Sequence, residues 1–236
     1  MLNLMMRQPF LLGMFLVRRF MPIVICIALL SGTSPIFHEG RIIGSQALGN
    51  APAPSPVVTA CTLTIDDMSL RNRVGHIQVL VSNSTLPQLS FATSVWLDEI
   101  YLPIPVSNVN ATDENGNALR AELSESPQAW GVKRVWTITK GSARSVLFRY
   151  DISFEYYVDR ISSYTGYIGS DYVMGVGAFT FLVPGFTSDR IEVRFNVPRG
   201  WAVAAPWEQT GGFFSVNSVE DLATATFGLG NFGGRP

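Results

Sequence analysis

The residues able to do chemistry are few and poorly placed for it. The chain has two histidines and two cysteines in 236 residues. His38-Glu39-Gly40-Arg41-Ile42 opens like the zinc motif His-Glu-x-x-His. That motif works because residues four apart share one helix face, so two imidazoles reach one metal while the glutamate acts as base. Here the fifth position is Ile42, and the other imidazole, His76, lies in a strand-like stretch. One imidazole builds no catalytic zinc site, and His76 reads as a solvent-face strand residue. Gly228-Leu229-Gly230-Asn231-Phe232-Gly233 spells the dinucleotide fingerprint. The fingerprint binds pyrophosphate only when a helix N-terminus follows it, and too little chain follows Gly233. Carboxylates adjoin at Asp66-Asp67, Asp98-Glu99 and Glu220-Asp221. Neighbours on a strand face opposite ways, so such pairs rarely share a site. No Gly-x-Ser-x-Gly elbow occurs, and Cys61 has no histidine to activate it. The sequence thus nominates no catalytic, cofactor-binding or metal residue. This chain alone is expected not to be an enzyme.

Aromatic residues are the better candidates for a functional surface. Tyr156, Tyr157, Tyr164, Tyr167 and Tyr172 lie in or around a Ser/Tyr/Gly stretch from Arg160 to Asp171. Tyrosine gives large contact area at low entropic cost, and protein interfaces and sugar-binding faces use it. The alternative is that several of these rings merely close one end of the fold.

The elements around them are strands. Thr62 to Ile65 and Val74 to Val81 alternate apolar and polar residues, the mark of a strand with one buried face. Leu86 to Ala92 and Val106 to Thr112 are further short strands. Asn115-Gly116 within Asp113 to Asn117 is a hairpin signal. Ala129 to Thr139 and Ser145 to Val158 are long and rich in Val, Ile, Phe, Tyr and Trp. Leu147 is expected to face inward with residues of its own parity, which leaves Phe148 outside. Val173 to Pro184 is strand-like, with Gly175 and Gly177 marking a bulge or a close backbone approach. Ile191, Val193, Phe195 and Val197 alternate with Glu192, Arg194 and Asn196 and should point inward together. Pro198-Arg199-Gly200 stops that strand. Ser218 is a candidate N-cap, with Glu220 and Asp221 in the first turn. No three-turn helix pattern occurs after residue 34. The fold class is all-β: an antiparallel β-sandwich over residues 60–232, with no helix longer than about two turns. A signal or anchor helix and a Pro-rich linker precede it.

Composition supports this division. Charged residues make up 15% of the chain and the formal net charge is −1, against about 25% charged residues in typical soluble proteins. No basic excess exists to hold a phosphate backbone, so no nucleic acid is expected as partner. Arg7, Arg18 and Arg19 precede an uncharged run, Phe20 to Leu30, of signal-peptide length and shorter than the ~20 residues that span a bilayer. Small residues from Ser31 to Ser34 offer a cleavage site. The alternative is an uncleaved anchor from Met5 to Leu30, with Arg18 and Arg19 at its costly centre. Residues 1–34 therefore read as signal peptide or membrane anchor, and the protein as periplasmic, extracellular or anchored through its N-terminus. Contact with a membrane is expected only through that segment. Residues 35–59 form a Pro/Ala-rich linker, with alternating proline from Pro52 to Pro56 acting as a spacer. Residues 233–236 are a tail. Val58-Thr59-Ala60-Cys61 has the letters of a lipobox, but a lipobox directly follows an h-region. Cys61 instead reads as a buried residue opening the first strand. With Cys26 in the h-region, an exported chain would hold no internal disulfide.

The order of motifs resembles the N-terminal domain of the glycyl aminopeptidase-like metallopeptidases, the PDZ-containing relatives of thermolysin. The resemblance rests on the strand at Ile191 to Val197, Pro198-Arg199-Gly200, Trp201 and Trp207 flanking Pro206, and the short capped segment from Ser218 to Leu222. It extends upstream through Asn108 to Leu119, Trp130-Gly131-Val132, Lys140-Gly141 and Val146 to Ile152, and covers roughly Thr62 to Phe232. One turn departs: Ser94-Val95-Trp96-Leu97-Asp98-Glu99 keeps the tryptophan of the family's Pro-x-Trp-x-Pro-Gly-like turn but not its Pro-Gly. In that family a β-sandwich precedes a zinc peptidase domain that carries the metal ligands and base. The resemblance implies a non-catalytic docking or substrate-support module, with a peptidase domain or another protein as partner. The alternative is an exported stand-alone module that binds carbohydrate or a surface protein through the aromatic loop.

These two readings differ over exposed rings. The docking reading expects an apolar patch near the tail, including at least one of Trp207, Phe227 and Phe232. The stand-alone reading expects those three buried and the exposed rings at Tyr164, Tyr167 and Tyr172.

Overall fold

The computed structural model describes residues 55–93, 95–96, 100–101, 105–128, 130–154, 157–158, 163–164 and 166–232. They belong to one of the chain's two compact units, Pro52–Pro236. The proposed signal or anchor at 1–34, His38, most of the linker and the tail at 233–236 lie outside the described residues. Among the described residues no helix is long and apolar enough to cross a membrane.

The chain opens with β1 (Val58–Thr64), α1 (Asp67–Asn72), β2 (Val74–Ser82), β3 (Gln88–Ala92), β4 (Val95–Trp96) and β5 (Ile100–Tyr101). It continues through β6 (Val106–Asp113), β7 (Arg120–Gln128), β8 (Trp130–Thr139) and β9 (Ser145–Ser153). Shorter pieces follow: β10 (Tyr157–Val158), β11 (Ser163–Tyr164), β12 (Gly166–Ile168), β13 (Tyr172–Val176), α2 (Gly177–Thr180) and β14 (Val183–Pro184). The last part holds β15 (Arg190–Asn196), β16 (Ala202–Ala204), β17 (Glu208–Thr210), β18 (Phe213–Val216), α3 (Val219–Thr224) and β19 (Thr226–Gly230). Among the described residues the longest helices have six residues, so the expectation of none beyond two turns holds there.

Seven strands form one large sheet in the order β17-β18-β15-β1-β2-β9-β6. A six-stranded sheet runs β14-β3-β8-β5-β4 with β7 on the other edge of β8, and a four-stranded sheet runs β12-β13-β19-β16. Both smaller sheets cover the same face of the large one. Phe148 of β9 stacks on Phe91 of β3, ring centroids 4.9 Å apart. Phe195 of β15 meets Phe227 of β19 at 5.1 Å. Each fully buried Phe is worth about 1.5–3 kcal/mol of transfer energy. These cross-sheet rings therefore hold the two layers together.

The inward rows follow period two. On β1, Cys61 and Leu63 are buried, and on β2 so are Ile77, Val79 and Val81. Ile191 and Val193 are buried, and Phe195 and Val197 are partly buried against the same core, as their alternation requires. Leu147 breaks the expectation. The buried parity of β9 is Val146, Phe148, Tyr150 and Ile152, while Leu147 stands half-buried on the outer face. The reason is the aromatic stack: Phe148 fills the space opposite Phe91, which Leu147 would leave partly empty.

Other differences are topological. The turn at Asp113 forms as its sequence suggests: Asp113 accepts from the amides of Asn115 and Asn117, and Gly116 takes φ +82°. The strands then part, with β6 joining β9 and β7 joining β8. The expected hairpin forms locally, through the Thr112↔Ala118 bridge and the Leu119 amide on the Ala111 carbonyl, and beyond it becomes a corner between two sheets. The strand from Ser145 ends at Ser153. The stretch from Arg160 to Asp171 contains β12 rather than only loop. The segment from Val173 to Pro184 is interrupted by α2, where Gly177 approaches the Leu222 carbonyl too closely for any Cβ. Gly175 likewise lies flat against the Phe227 ring. Most of the pairing is antiparallel, but β1 runs parallel to β15 through Val58↔Arg190 to Thr64↔Asn196.

Parity on β9 is open to direct test. Phe148→Ala should cost about 3–5 kcal/mol and Leu147→Ala less than half of that, read from urea unfolding midpoints. A second test concerns α1. The Asp66 carboxylate accepts from the Ser69 amide at 2.7 Å, and that bond chiefly holds its pKa below the ordinary 3.8. A depressed carboxyl stabilises at neutral pH and loses that contribution as pH falls below its unfolded value. Asp66→Asn should therefore reduce stability at pH 7 by a margin that shrinks once the pH drops below ~4.

Candidate docking face

Small residues make the four-stranded sheet flat on its outer side. Its inner side buries Val173, Phe227 and Leu229. Alternation then turns Tyr172 and Met174 outward. Met174 pairs with Tyr167 on one side and Gly228 on the other, and Gly228 pairs with Ala204. The next row is Tyr172, Gly230 and Ala202. Glycine and alanine thus form the floor, while Tyr167, Tyr172 and Met174 rise at one edge. Beyond β19 the Asn231 amide donates to the Asp171 carbonyl at 3.2 Å, which ties the tail back to the sheet. Phe232 then lies over Gly228 on the outer side.

Four large apolar side chains stand out from this face: Tyr167 45% exposed, Tyr172 40%, Met174 51% and Phe232 56%. Tyr167 and Tyr172 stack at 5.3 Å with their planes 23° apart. Partial desolvation, and then the Tyr167 ring, raise the Tyr172 phenol above its ordinary pKa. The Tyr172 phenol is therefore neutral at pH 7, and the face carries apolar area with hydrogen-bonding tips.

The tail aromatics divide as expected. Phe232 is exposed and Phe227 is buried. Trp207 is half-buried, stacked on Phe195 at 6.5 Å. The rival expectation is met only in part: Tyr167 and Tyr172 are exposed, but Phe232 is not buried, and the Tyr164 side chain lies outside the described residues. The two sets of rings share a single face, so exposure alone does not divide the readings. Sequence reasoning missed Met174 and the Gly/Ala floor. Their only signal was Gly175, Gly177, Gly228 and Gly230 in strand-like surroundings, which marks close backbone approach.

The chemical letters have structural uses. His76 stands on β2 facing solvent, as anticipated, with Nδ1 2.6 Å from Asp151 Oδ1. The Asn108 amide donates to the other oxygen of Asp151 at 2.7 Å, from a bulge where Asn108 takes φ +51°. Among the described residues no three His, Cys, Asp or Glu side chains gather closely enough to hold a metal ion. Cys61 is buried in β1, and burial pushes its thiol up to about 12. Asp66 caps α1. Ser218 caps α3, accepting from the Asp221 amide at 3.0 Å. Gly228 to Gly230 lie inside β19 and not in a phosphate loop. Asp98 and Glu99 fall outside the described residues.

Fold and surface together define an all-β sandwich domain whose exposed aromatic face has the composition of an interface. The family model for the Peptidase M61 N-terminal domain matches residues 62–225. The chain belongs to that family. No curated protein matches it. Among solved structures, an aminopeptidase N family protein from Idiomarina loihiensis is 15% identical with a TM-score of 0.54, over 73% of this chain and 29% of that one. An M1 zinc metallopeptidase from Deinococcus radiodurans is 15% identical with a TM-score of 0.39, over 74% of this chain and 41% of its own. Leukotriene A4 hydrolase from Saccharomyces cerevisiae is 10% identical with a TM-score of 0.42, over 77% and 30%. This chain spans less than half the length of each, and at such identity the likeness is one of fold.

If the face is surface rather than core, it can be changed at little cost. Tyr167→Ser with Met174→Ser should move stability by no more than about 0.5 kcal/mol per site. The same pair should lower the fluorescence of a bound hydrophobic dye. A loss of several kcal/mol would mean that these side chains serve the fold.

Proposed function

We propose that this domain is the non-catalytic docking and substrate-support module of an M61-type metallopeptidase. In this reading a zinc peptidase domain packs against the four-stranded sheet. The observation that carries it is the contiguous face of Tyr167, Tyr172, Met174 and Phe232, set on a Gly/Ala floor beside the last strand. Monomeric soluble proteins rarely leave such a patch uncovered. Zinc ligands and general base belong to the partner domain, and this chain alone hydrolyses nothing. We further propose export, with residues 1–34 as signal peptide or membrane anchor.

A second reading rests on the stacked pair Tyr167 and Tyr172. Stacked, exposed rings offer aromatic area to the apolar face of a sugar, and in that reading the domain is an exported carbohydrate-binding module.

The experiment separates them. A recombinant M61 peptidase domain is mixed with this chain and the complex followed by size-exclusion chromatography. Docking predicts co-elution that Tyr167→Ser with Met174→Ser abolishes. Calorimetric binding of an oligosaccharide together with failure to co-elute would favour the second reading and overturn the first.

A further inference from the structure

We infer that the free edge of β7 is a self-complementary interface, through which two copies of this chain pair their β7 strands antiparallel about a two-fold axis at Leu123. This edge belongs to the six-stranded sheet, is separate from the docking face and does not rest on the proposed function.

The edge is long and open. On one side β7 pairs with β8 from Arg120 to Gln128, and among the described residues no strand lies on the other side. Arg134 shows which backbone groups face outward. Its carbonyl accepts from the Thr93 amide at 2.9 Å, and its amide donates to Thr93 Oγ1 at 3.1 Å, so both point toward β3. Glu125 stands opposite Arg134. It therefore occupies a non-hydrogen-bonded pair of the β7–β8 ladder and turns its own N–H and C=O away from β8. Period two puts Leu123 and Ala121 in the same condition. The row stops at both ends. The Leu119 amide already donates to the Ala111 carbonyl at 2.8 Å, and Pro127 has no N–H to offer. Ala121, Leu123 and Glu125 thus carry the outward donors and acceptors, a set symmetric about Leu123.

The side chains repeat that symmetry. Leu123 pairs with Trp136 and shares its side of the sheet, yet Trp136 is 5% exposed and Leu123 51%. Val132, on the same side opposite Pro127, is 37% exposed. An apolar residue at the middle of an unpaired edge is a template for a further strand. With the axis at Leu123, the leucines of the two copies oppose and cover each other. Leu123 against Leu123, and Ala121 against Glu125 in both directions, become pairs that each exchange two backbone bonds.

Charge and sterics select this register. Arg120 falls opposite Ser126 and Glu122 opposite Ser124, so no like charges oppose directly. The two Glu122 carboxylates are diagonal neighbours, each already paired with its own Arg120. Glu125 is held by Arg134 at 2.7 Å on its own chain. An axis at Glu122 would set that carboxylate against itself, which destabilises a cross-strand pair. An axis at Ser124 would put Pro127 opposite Ala121 and lose a bond at each end. The chosen pairing uses the same patch on both copies and so closes at two. A strand pair of this length is smaller than the ~1,200–2,000 Å² of a stable interface, so the dimer is reversible and depends on concentration.

The test is sedimentation velocity on the full chain up to a concentration on the order of 1 mM. A monomer–dimer equilibrium is expected. Leu123→Pro removes the outward N–H at the axis and leaves the bonds to β8 intact, as proline does on an edge strand. It should weaken dimerisation at least about tenfold. Circular dichroism and the thermal midpoint establish that it is folded. A second arm reads the register in a Cys26→Ser background under oxidised glutathione. Leu123→Cys brings the two thiols onto opposed positions, with Cβ atoms about 5.5 Å apart, within disulfide reach. Ser126→Cys leaves them roughly 20 Å apart along the pair. The first should cross-link the dimer and the second should not. A chain that stays monomeric throughout, or equal cross-linking at the two positions, overturns the inference. So does association that survives in folded Leu123→Pro, which would assign it to another surface. Should Leu123→Pro fail to fold, the cysteine pair decides alone.

Discussion

One constraint shapes this domain: a seven-stranded sheet has a single dry face, and two smaller sheets must share it. Phe148 against Phe91 fastens one of them, and Phe195 against Phe227 fastens the other. Interiors are close-packed, so these rings dictate what stands around them. Gly175 is a glycine because the Phe227 ring occupies the place of its side chain. Leu147 is turned outward because Phe148 fills the inner position. Tyr150 is buried within the same layer, its hydroxyl accepting from the Leu182 amide at 2.9 Å, which pins the chain after α2 to the large sheet. Burial there drives the phenol pKa well above its ordinary value, so it stays protonated and can bond as a neutral group.

The same constraint creates the two outer faces. A sheet covered on one side presents its other side to solvent, and what lies there is free to serve binding. The four-stranded sheet puts aromatic rings over glycine and alanine. The seven-stranded sheet puts arginines beside leucine. The first is apolar with hydroxyl tips, the second carries charges of both signs around leucine.

Much of the architecture was legible because it depends on period two. Ile191 to Val197, Thr62 to Ile65 and Val74 to Val81 each announce one buried side, and the structure buries it. Ser218 and Asp113 were legible because caps and turns are local. Three features were not. The choice between Phe148 and Leu147 is hidden because both parities of β9 contain apolar residues, and only the ring across the core decides. The strand β7 is exposed along nearly all its length, so Arg120 to Gln128 carries no apolar rhythm to read. The parallel pairing of β1 with β15 joins residues more than a hundred positions apart, and nothing local encodes it. The docking face shares that difficulty. Tyr167 and Tyr172 were visible as a cluster and Phe232 as a tail aromatic, but only the register of β12, β13 and β19 brings them together.

The central claim is that the face of the four-stranded sheet is an interface for a peptidase domain. Met174 gives it the most direct measurement, since its exposed thioether oxidises readily in peroxide and the mass change is read by peptide mass spectrometry. With saturating M61 peptidase domain the oxidation rate at Met174 should fall at least about fivefold, while Met68, 62% exposed on α1, keeps its rate. An unchanged rate at Met174 under conditions where the two proteins form a complex would contradict the account.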